Sequence, residues 1–516
     1  MRLLKYSLLA RGLLPRELPP PFNSLSLGKL LGTNLASPPK GFDDPKRTYR
    51  IGTHTLARVG NLRRTLGIPN PVPFSNLCEF IDTEWQNLKP AAQRSNISLS
   101  RPYFDMAGER ALRPSSSLAE LPYKRAQARA NAQYALVADI NRFYGSIYTH
   151  SIPWALHGKS IAKAKRDKSL IGNVMDLWAR NLQDGQTLGI PIGPDTSLLI
   201  AEIILGGIDT ELMGSAKDIS GWRYVDDYEL YFSTLSAAED ALSKLQELLL
   251  EYELILNPTK TKISELQRSL QAPWVDALAE FEPGKTQSSE KKAIIRFFDT
   301  AFRLAHEHPH DYVLSFAIGR LKDIRTDPVN WPLVQSLMLQ CAMMEPGTLR
   351  IVLSTLFLAR NKKAPISQIQ IEEALNRHVS RHAPLHHTGE VGWALWGLSA
   401  FNVILHEGPA KSVSKISDSS IALTALDAHS RKLIPTGLDL ELWTQHMKTS
   451  ELSGPLWMLA YEANVKGWLP SADGKDHVME DPCFNYLKSH GVTFYDSSRY
   501  PPAIVEEGYS APRTPF

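Results

Sequence analysis

Gly221-Trp222-Arg223-Tyr224-Val225-Asp226-Asp227-Tyr228-Glu229-Leu230-Tyr231-Phe232-Ser233 is the stretch on which the reading of this chain turns. Aromatic and apolar residues flank two aspartates, a pattern that predicts a hairpin of two strands turning at Asp226 and Asp227. Aspartate is a common turn residue, so the pair alone carries no chemistry. Residues 134–140, YALVADI, form a second short apolar run that predicts a buried strand ending in Asp139. Nucleotidyl transfer needs two divalent metals about 4 Å apart, held by a few carboxylates together with substrate phosphates. One aspartate at a strand end and two at a hairpin tip have the form of such a site.

Composition sets the frame around these stretches. The chain has 516 residues, 43% hydrophobic and 22% charged, which excludes a disordered or collagen-like protein and leaves room for two to four domains. Cys78, Cys341 and Cys483 are too few and too scattered for a disulfide framework or a cysteine-rich zinc site, which points to a reducing compartment. The longest apolar run, Ser197 to Ile208, is interrupted by Glu202 and is shorter than the roughly 20 residues that span a bilayer. No membrane segment or secretory signal is expected. Residues 1–130 hold 20 Lys and Arg against 9 Asp and Glu, so the first quarter is where a polyanion would sit, unless the charge is only a solvated surface.

The rest divides by pattern. Residues 1–130 mix prolines with short helical stretches. From 131 to 268 come the strand at 134–140, a helix at 168–182, the turn-rich Gly189-Ile190-Pro191-Ile192-Gly193-Pro194, a long apolar helix at 196–213, the hairpin, a helix at 237–252 and Asn257-Pro258-Thr259-Lys260-Thr261-Lys262. From 269 to 516 amphipathic helices are expected at 290–306, 311–323, 332–343, 347–360, 367–379 and 390–404, paired at intervals that suit a HEAT-like solenoid or an irregular bundle.

Four of these motifs, in this order, resemble the reverse transcriptases. Tyr224-Val225-Asp226-Asp227 resembles their Y-x-D-D signature, and Asp139-Ile140-Asn141-Arg142-Phe143-Tyr144 resembles their first catalytic motif. The resemblance implies an α+β right-hand polymerase palm and fingers. It implies two Mg²⁺ ions, with Mn²⁺ as a substitute, held by Asp139, the Ile140 backbone, Asp226 and Asp227. Tyr144 becomes the ribose gate for a deoxynucleotide, and Ile140, Pro191, Ile192 and Gly193 shape the nucleotide pocket. Lys260 becomes the lysine near the pyrophosphate. Arg101, Arg110, Arg113, Lys124 and Arg125 form the pool for a triphosphate clamp. Templated enzymes carry a glutamine where Ile192 stands, and this departure argues against an RNA template.

Residues 143–159, Phe143 through Lys159, and the segment Arg11 to Phe22 resemble bacterial abortive-infection polymerases of the AbiK type, in their prophage-encoded branch. That resemblance implies DNA synthesis from dNTPs without a template, primed on a protein tyrosine and leaving single-stranded DNA that stays attached to the chain. It also implies a HEAT-like C-terminal domain, a homo-oligomer (a trimer or a hexamer), and work in the cytoplasm of a phage-infected bacterium. Tyr6 and Tyr49 are the primer candidates, with Tyr103 in the same basic region. A templated polymerase and a non-catalytic helical scaffold remain the alternatives.

Several residues read as structural. His150, His157 and Lys159 follow the first catalytic strand and are expected to hold structure or contact nucleic acid. His306, His308, His310, His378, His382, His386 and His387 are expected in exposed loops and helix ends, with no accompanying carboxylate and no zinc. Trp393, Trp396, Trp457 and Tyr461 are expected in the core.

Overall fold

In the computed structural model, residues 3–33, 37–58, 62–215, 219–266, 269–279, 281–321 and 326–499 are described. Two small antiparallel hairpins come first, β1 (Gly52–Ala57) with β2 (Arg63–Ile68) and β3 (Pro102–Phe104) with β4 (Leu112–Pro114). The central sheet follows, built from β5 (Tyr134–Asp139), β6 (Ser220–Tyr224), β7 (Asp227–Phe232) and β8 (Lys262–Glu265) in the antiparallel order β6-β7-β5-β8. β5 lies in the middle and is buried from Ala135 to Asp139, which explains its continuous apolar reading.

Each face of the sheet has its own cover. Leu136, Ala138 and Leu230 point into the main core with the helices Asp195–Ser215 and Leu235–Glu251. The first of these is apolar nearly all round, as a helix buried in a core must be, yet it carries Glu202 and Asp209 two turns apart at 0% exposure. On the other face Ala135, Trp222 and Tyr231 form a small separate cluster. Glu229, opposite Val137 in the register, is buried on that face and receives Arg125 of the helix Leu121–Ala128 through Nε–Oε1 at 2.8 Å and Nη2–Oε2 at 2.9 Å.

All regular elements described after Glu265 are helical. Gln287–Glu307 pairs with Val313–Leu321, Trp331–Met344 with Leu349–Asn361, and Gln368–His382 with Thr388–Phe401. Successive pairs stack first helix on first and second on second, so each pair buries the apolar stripe of the one before. The six helices expected from the sequence are all present, displaced by a few residues at their ends. Trp393, Trp396, Trp457 and Tyr461 are buried among them, as expected.

The N-terminal segment is bound to this helical part along much of its length. The Trp393 indole N–H donates to the Glu17 carbonyl at 2.8 Å, Trp457 to Ile68 at 3.2 Å, and the Asn70 amide to Leu452 at 2.8 Å. Phe22 bridges to Tyr495, and Arg47 pairs with Asp481. The positive charge of residues 1–130 is therefore partly spent inside the molecule, since Arg47, Arg63, Arg110 and Arg125 each meet an acid from beyond residue 130. A basic sequence excess need not be a basic surface.

The Arg125–Glu229 pair gives a stability test. Arg125→Met leaves a buried carboxylate short of its main partner and should lower the unfolding free energy by about 3 kcal/mol in a urea titration. Adding Glu229→Leu should recover much of that loss, because the stranded charge is then gone.

Candidate active site

The two acidic stretches meet through strand register. Asp139, last in β5, stands directly opposite Asp227, first in β7. The Ile140 N–H donates to the Asp226 carbonyl at 3.2 Å, which makes Asp139 and Asp227 a non-hydrogen-bonded pair, the type whose side chains approach most closely. Two carboxylates facing each other in this way repel until a cation sits with them. Lys260 supplies one positive charge, its Nζ 2.9 Å from Asp139 Oδ2, and Asn257 holds the other oxygen at 3.2 Å. The Asn257 N–H also donates to the Asp139 carbonyl at 2.7 Å, so the segment around Asn257-Pro258-Thr259-Lys260 closes over the end of β5. Asn257 escaped the sequence reading, although an Asn-Pro turn just before Lys260 was its signal.

Asp226 sits at the hairpin tip with Val225. Val225 has φ of +54°, a region that a β-branched side chain avoids, so something must hold it there. Both of its backbone polar groups are caught: the N–H donates to Ser100 Oγ at 2.7 Å, and the carbonyl accepts from Arg223 Nη1 at 2.8 Å. Arg223 is fully buried. It forks onto Glu202 at 2.8 and 2.9 Å and reaches Asp209 through Nε at 2.9 Å and Nη2 at 2.7 Å. Burial works against its charge, but Asp209 and Glu202 raise its pKa well above the usual value, so it stays a cation.

Serines complete the network. Ser98 and Ser100 hydroxyls donate to Glu202 at 2.7 and 2.6 Å, while Ser95 and the Tyr228 hydroxyl donate to Asp209 at 2.6 and 2.9 Å. The segment holding these serines runs along β6, with the Leu99 N–H on the Arg223 carbonyl and the Arg223 N–H on the Ile97 carbonyl, both at 2.8 Å. The sequence reading passed over Glu202, Asp209 and Ser100. Two acids two turns apart within the apolar middle of a helix, with one arginine beside the aspartates, were the available signal.

The nucleotide-side motifs also come together. The Ile190 N–H donates to the Tyr144 carbonyl, and the Gly189 N–H to the Ile147 carbonyl, both at 2.8 Å. Gly189 has φ of +85°, and a Cβ there would lie 3.2 Å from the Gly145 carbonyl oxygen, so glycine alone permits this approach. Gly193, at φ +128°, packs on Pro15, whose Cγ would be 2.8 Å from an added Cβ. The Ile192 carbonyl accepts the Gly67 N–H of β2 at 2.8 Å, and Pro191 is buried with its carbonyl on Ser197 Oγ at 2.6 Å.

The pool of clamp residues narrows. Arg110 is a structural tie, bonded to Asp195 (Nε, 2.7 Å) and to the carbonyls of Leu14 and Gly193 (2.7 Å each), which pins the glycine-rich loop to the N-terminal segment. Arg125 is spent on Glu229, and Lys124 lies 3.8 Å from Glu120. Arg113 is 39% exposed beside Asp105, and Arg101 is partly exposed with no hydrogen bond or ion pair among the described residues. A clamp needs a cation that a triphosphate can reach, which Arg110 and Arg125 are not. Tyr49 fails as a primer on the same ground: it is 2% exposed with Arg47 over its ring, and burial raises its pKa. Tyr6 is partly exposed and Tyr103 53% exposed. His150 binds Asp176 at 2.9 Å, His157 accepts the Gly172 N–H at 3.0 Å, and Lys159 lies over Trp154, all structural roles.

The profile of the family Reverse transcriptase (RNA-dependent DNA polymerase) matches residues 100–294, from the serine segment to the first long C-terminal helix. The chain carries a reverse transcriptase domain. That domain supports a nucleotidyltransferase, an enzyme of the DNA-polymerase type. No curated protein matches the chain. Enzymes with this domain use divalent metal ions, typically Mg²⁺, which lower the pKa of an attacking hydroxyl and neutralise the leaving pyrophosphate. Asp139 and Asp227, opposite one another in the register, and Asp226 beside them would offer only oxygen ligands, with the Ile140 carbonyl next in the chain, a chemistry that suits such a hard cation. Lys260 meanwhile holds Asp139 Oδ2 in place at 2.9 Å.

Asp226→Asn should abolish nucleotide incorporation, by about 10²-fold or more, at an unchanged melting temperature, because the side chain sits at an open turn. Lys260→Ala should lower the rate about tenfold with the fold intact. Metal-dependent incorporation of labelled dNTP beside thermal melts checks both.

Proposed function

We propose that the reverse transcriptase domain is the engine of an abortive-infection DNA polymerase that builds single-stranded DNA from dNTPs without copying a template, starting from a tyrosine of the protein. The observation that carries the reading is Ile192. Its side chain offers no hydrogen bond to a templating base, and its backbone is fixed to Gly67. A nucleotide beside it is selected for its sugar, which Tyr144 gates, more than for pairing. Arg101, Arg113 and Lys124 are the candidate clamp residues that keep some exposure, Arg113 beside Asp105 and Lys124 beside Glu120, and Tyr6 and Tyr103 are the candidate primer tyrosines that do.

In this proposal the stacked helix pairs after residue 269 form a HEAT-like scaffold beside the palm. The paired stacking supports that reading. A homo-oligomer, a trimer or a hexamer, and a place in the bacterial cytoplasm come with the family resemblance. No helix among the described residues is long and apolar enough to cross a membrane.

The test is to incubate nuclease-treated protein with Mg²⁺ and labelled dNTPs, without primer or template. Label should stay with the wild-type polypeptide under denaturation and be missing from Asp226→Asn. Incorporation that appears only with added RNA and primer, in a product mirroring that RNA, would establish templated synthesis instead.

A further inference from the structure

Three of the histidines expected at exposed loops and helix ends, His378, His382 and His387, are instead packed together in the helical part of the protein. His378 and His382, on the last turns of the helix Gln368–His382, are 1% and 4% exposed. Their rings lie 4.5 Å apart, and the His382 ring is 5.2 Å from that of His387. A carboxylate does accompany them: Glu390, in the first turn of Thr388–Phe401, is 4% exposed and faces His382 and His387. The turn between these helices brings the three side chains together, which spacing along the sequence did not reveal.

We propose that His382, His387 and Glu390 bind one late first-row divalent cation, of the zinc type, in the helical part of the protein. The distances carry the argument. His382 Nδ1 is 3.0 Å from His387 Nδ1, and Glu390 Oε1 is 3.9 and 3.6 Å from these two nitrogens. A cation at the centre of that triangle is about 2.1 Å from each atom, the length of a zinc bond to imidazole or carboxylate. Two imidazoles and one carboxylate suit zinc and its neighbours better than magnesium, and three protein ligands leave a further position for water.

The surroundings fit a ligand set. Glu390 Oε2 takes Arg63 Nη2 at 2.7 Å, and Arg63 also bonds the Thr55 hydroxyl at 2.9 Å. A ligating carboxylate is commonly held in this way by a second layer. Arg63 Nη1 also reaches Glu390 Oε1, an oxygen with a second lone pair to offer. Nε2 of both His378 and His382 is buried with no hydrogen-bond partner. Two buried imidazoles and a partly exposed third, sharing one nitrogen–nitrogen contact, are a poor structural solution by themselves. A cation would tie helix Gln368–His382, helix Thr388–Phe401 and, through Arg63, strand β2 into one unit, adding its binding free energy to folding.

The full chain, stripped with chelator, is titrated with zinc against a chromophoric competitor, beside His387→Ala and Asp226→Asn. His387 is a quarter exposed on its side chain, so its removal should leave the fold intact by circular dichroism. Wild type and Asp226→Asn should each take up one more zinc per chain than His387→Ala and melt several degrees higher with zinc. Cobalt(II) should give visible absorption in wild type that His387→Ala lacks. Equal zinc uptake and equal melting in wild type and His387→Ala would overturn the site and leave the cluster as a histidine hydrogen bond beside an ion pair.

Discussion

One buried guanidinium organises the polymerase half of this protein. Arg223 joins the helix that carries Glu202 and Asp209, the strand that leads into the catalytic turn, and the serine segment alongside. A charge at 0% exposure is tolerated only because two carboxylates and their serine and tyrosine donors satisfy it. The set holds two acids against one base, so breaking any link strands charge in the core. What it secures is Val225, whose backbone would otherwise relax and move Asp226 away from Asp139. The candidate catalytic aspartates are thus positioned from beneath, by a buried network set below the turn.

The same logic recurs at the nucleotide side. Arg110 fixes the glycine-rich loop to the N-terminal segment through Asp195 and the Leu14 and Gly193 carbonyls. That segment is in turn bonded to the helical part through Glu17, Ile68 and Asn70. The helices after residue 269 are therefore mechanically continuous with the glycine-rich loop 189–194. A partner that shifted them would act on the pocket through these ties, a route that needs no second active site.

Much of this was legible in the sequence because it rests on local pattern. The central strand, the hairpin, the long buried helix and the six C-terminal helices follow from periodicity of two and of 3.6, and the aspartates from their place at strand ends. Pairing across distance was not legible. Arg110 and Arg125 looked like free cations because their acids, Asp195 and Glu229, are about 85 and 104 residues away. Glu390 was missed beside His382 and His387 because a turn, not a helical face, joins them. Tyr49 looked available because sequence shows no burial for a residue in a proline-rich segment.

The most direct measurement is the single-nucleotide incorporation rate of Ser100→Ala beside its thermal melt. That substitution removes the acceptor for the Val225 N–H and a donor to Glu202, while leaving every substrate-facing group in place. If the buried network sets the catalytic turn, the turnover rate falls at least about tenfold with the dNTP KM little changed and the overall fold intact. A wild-type turnover rate in Ser100→Ala would contradict the account, because Asp226 would then hold its place without the network beneath it.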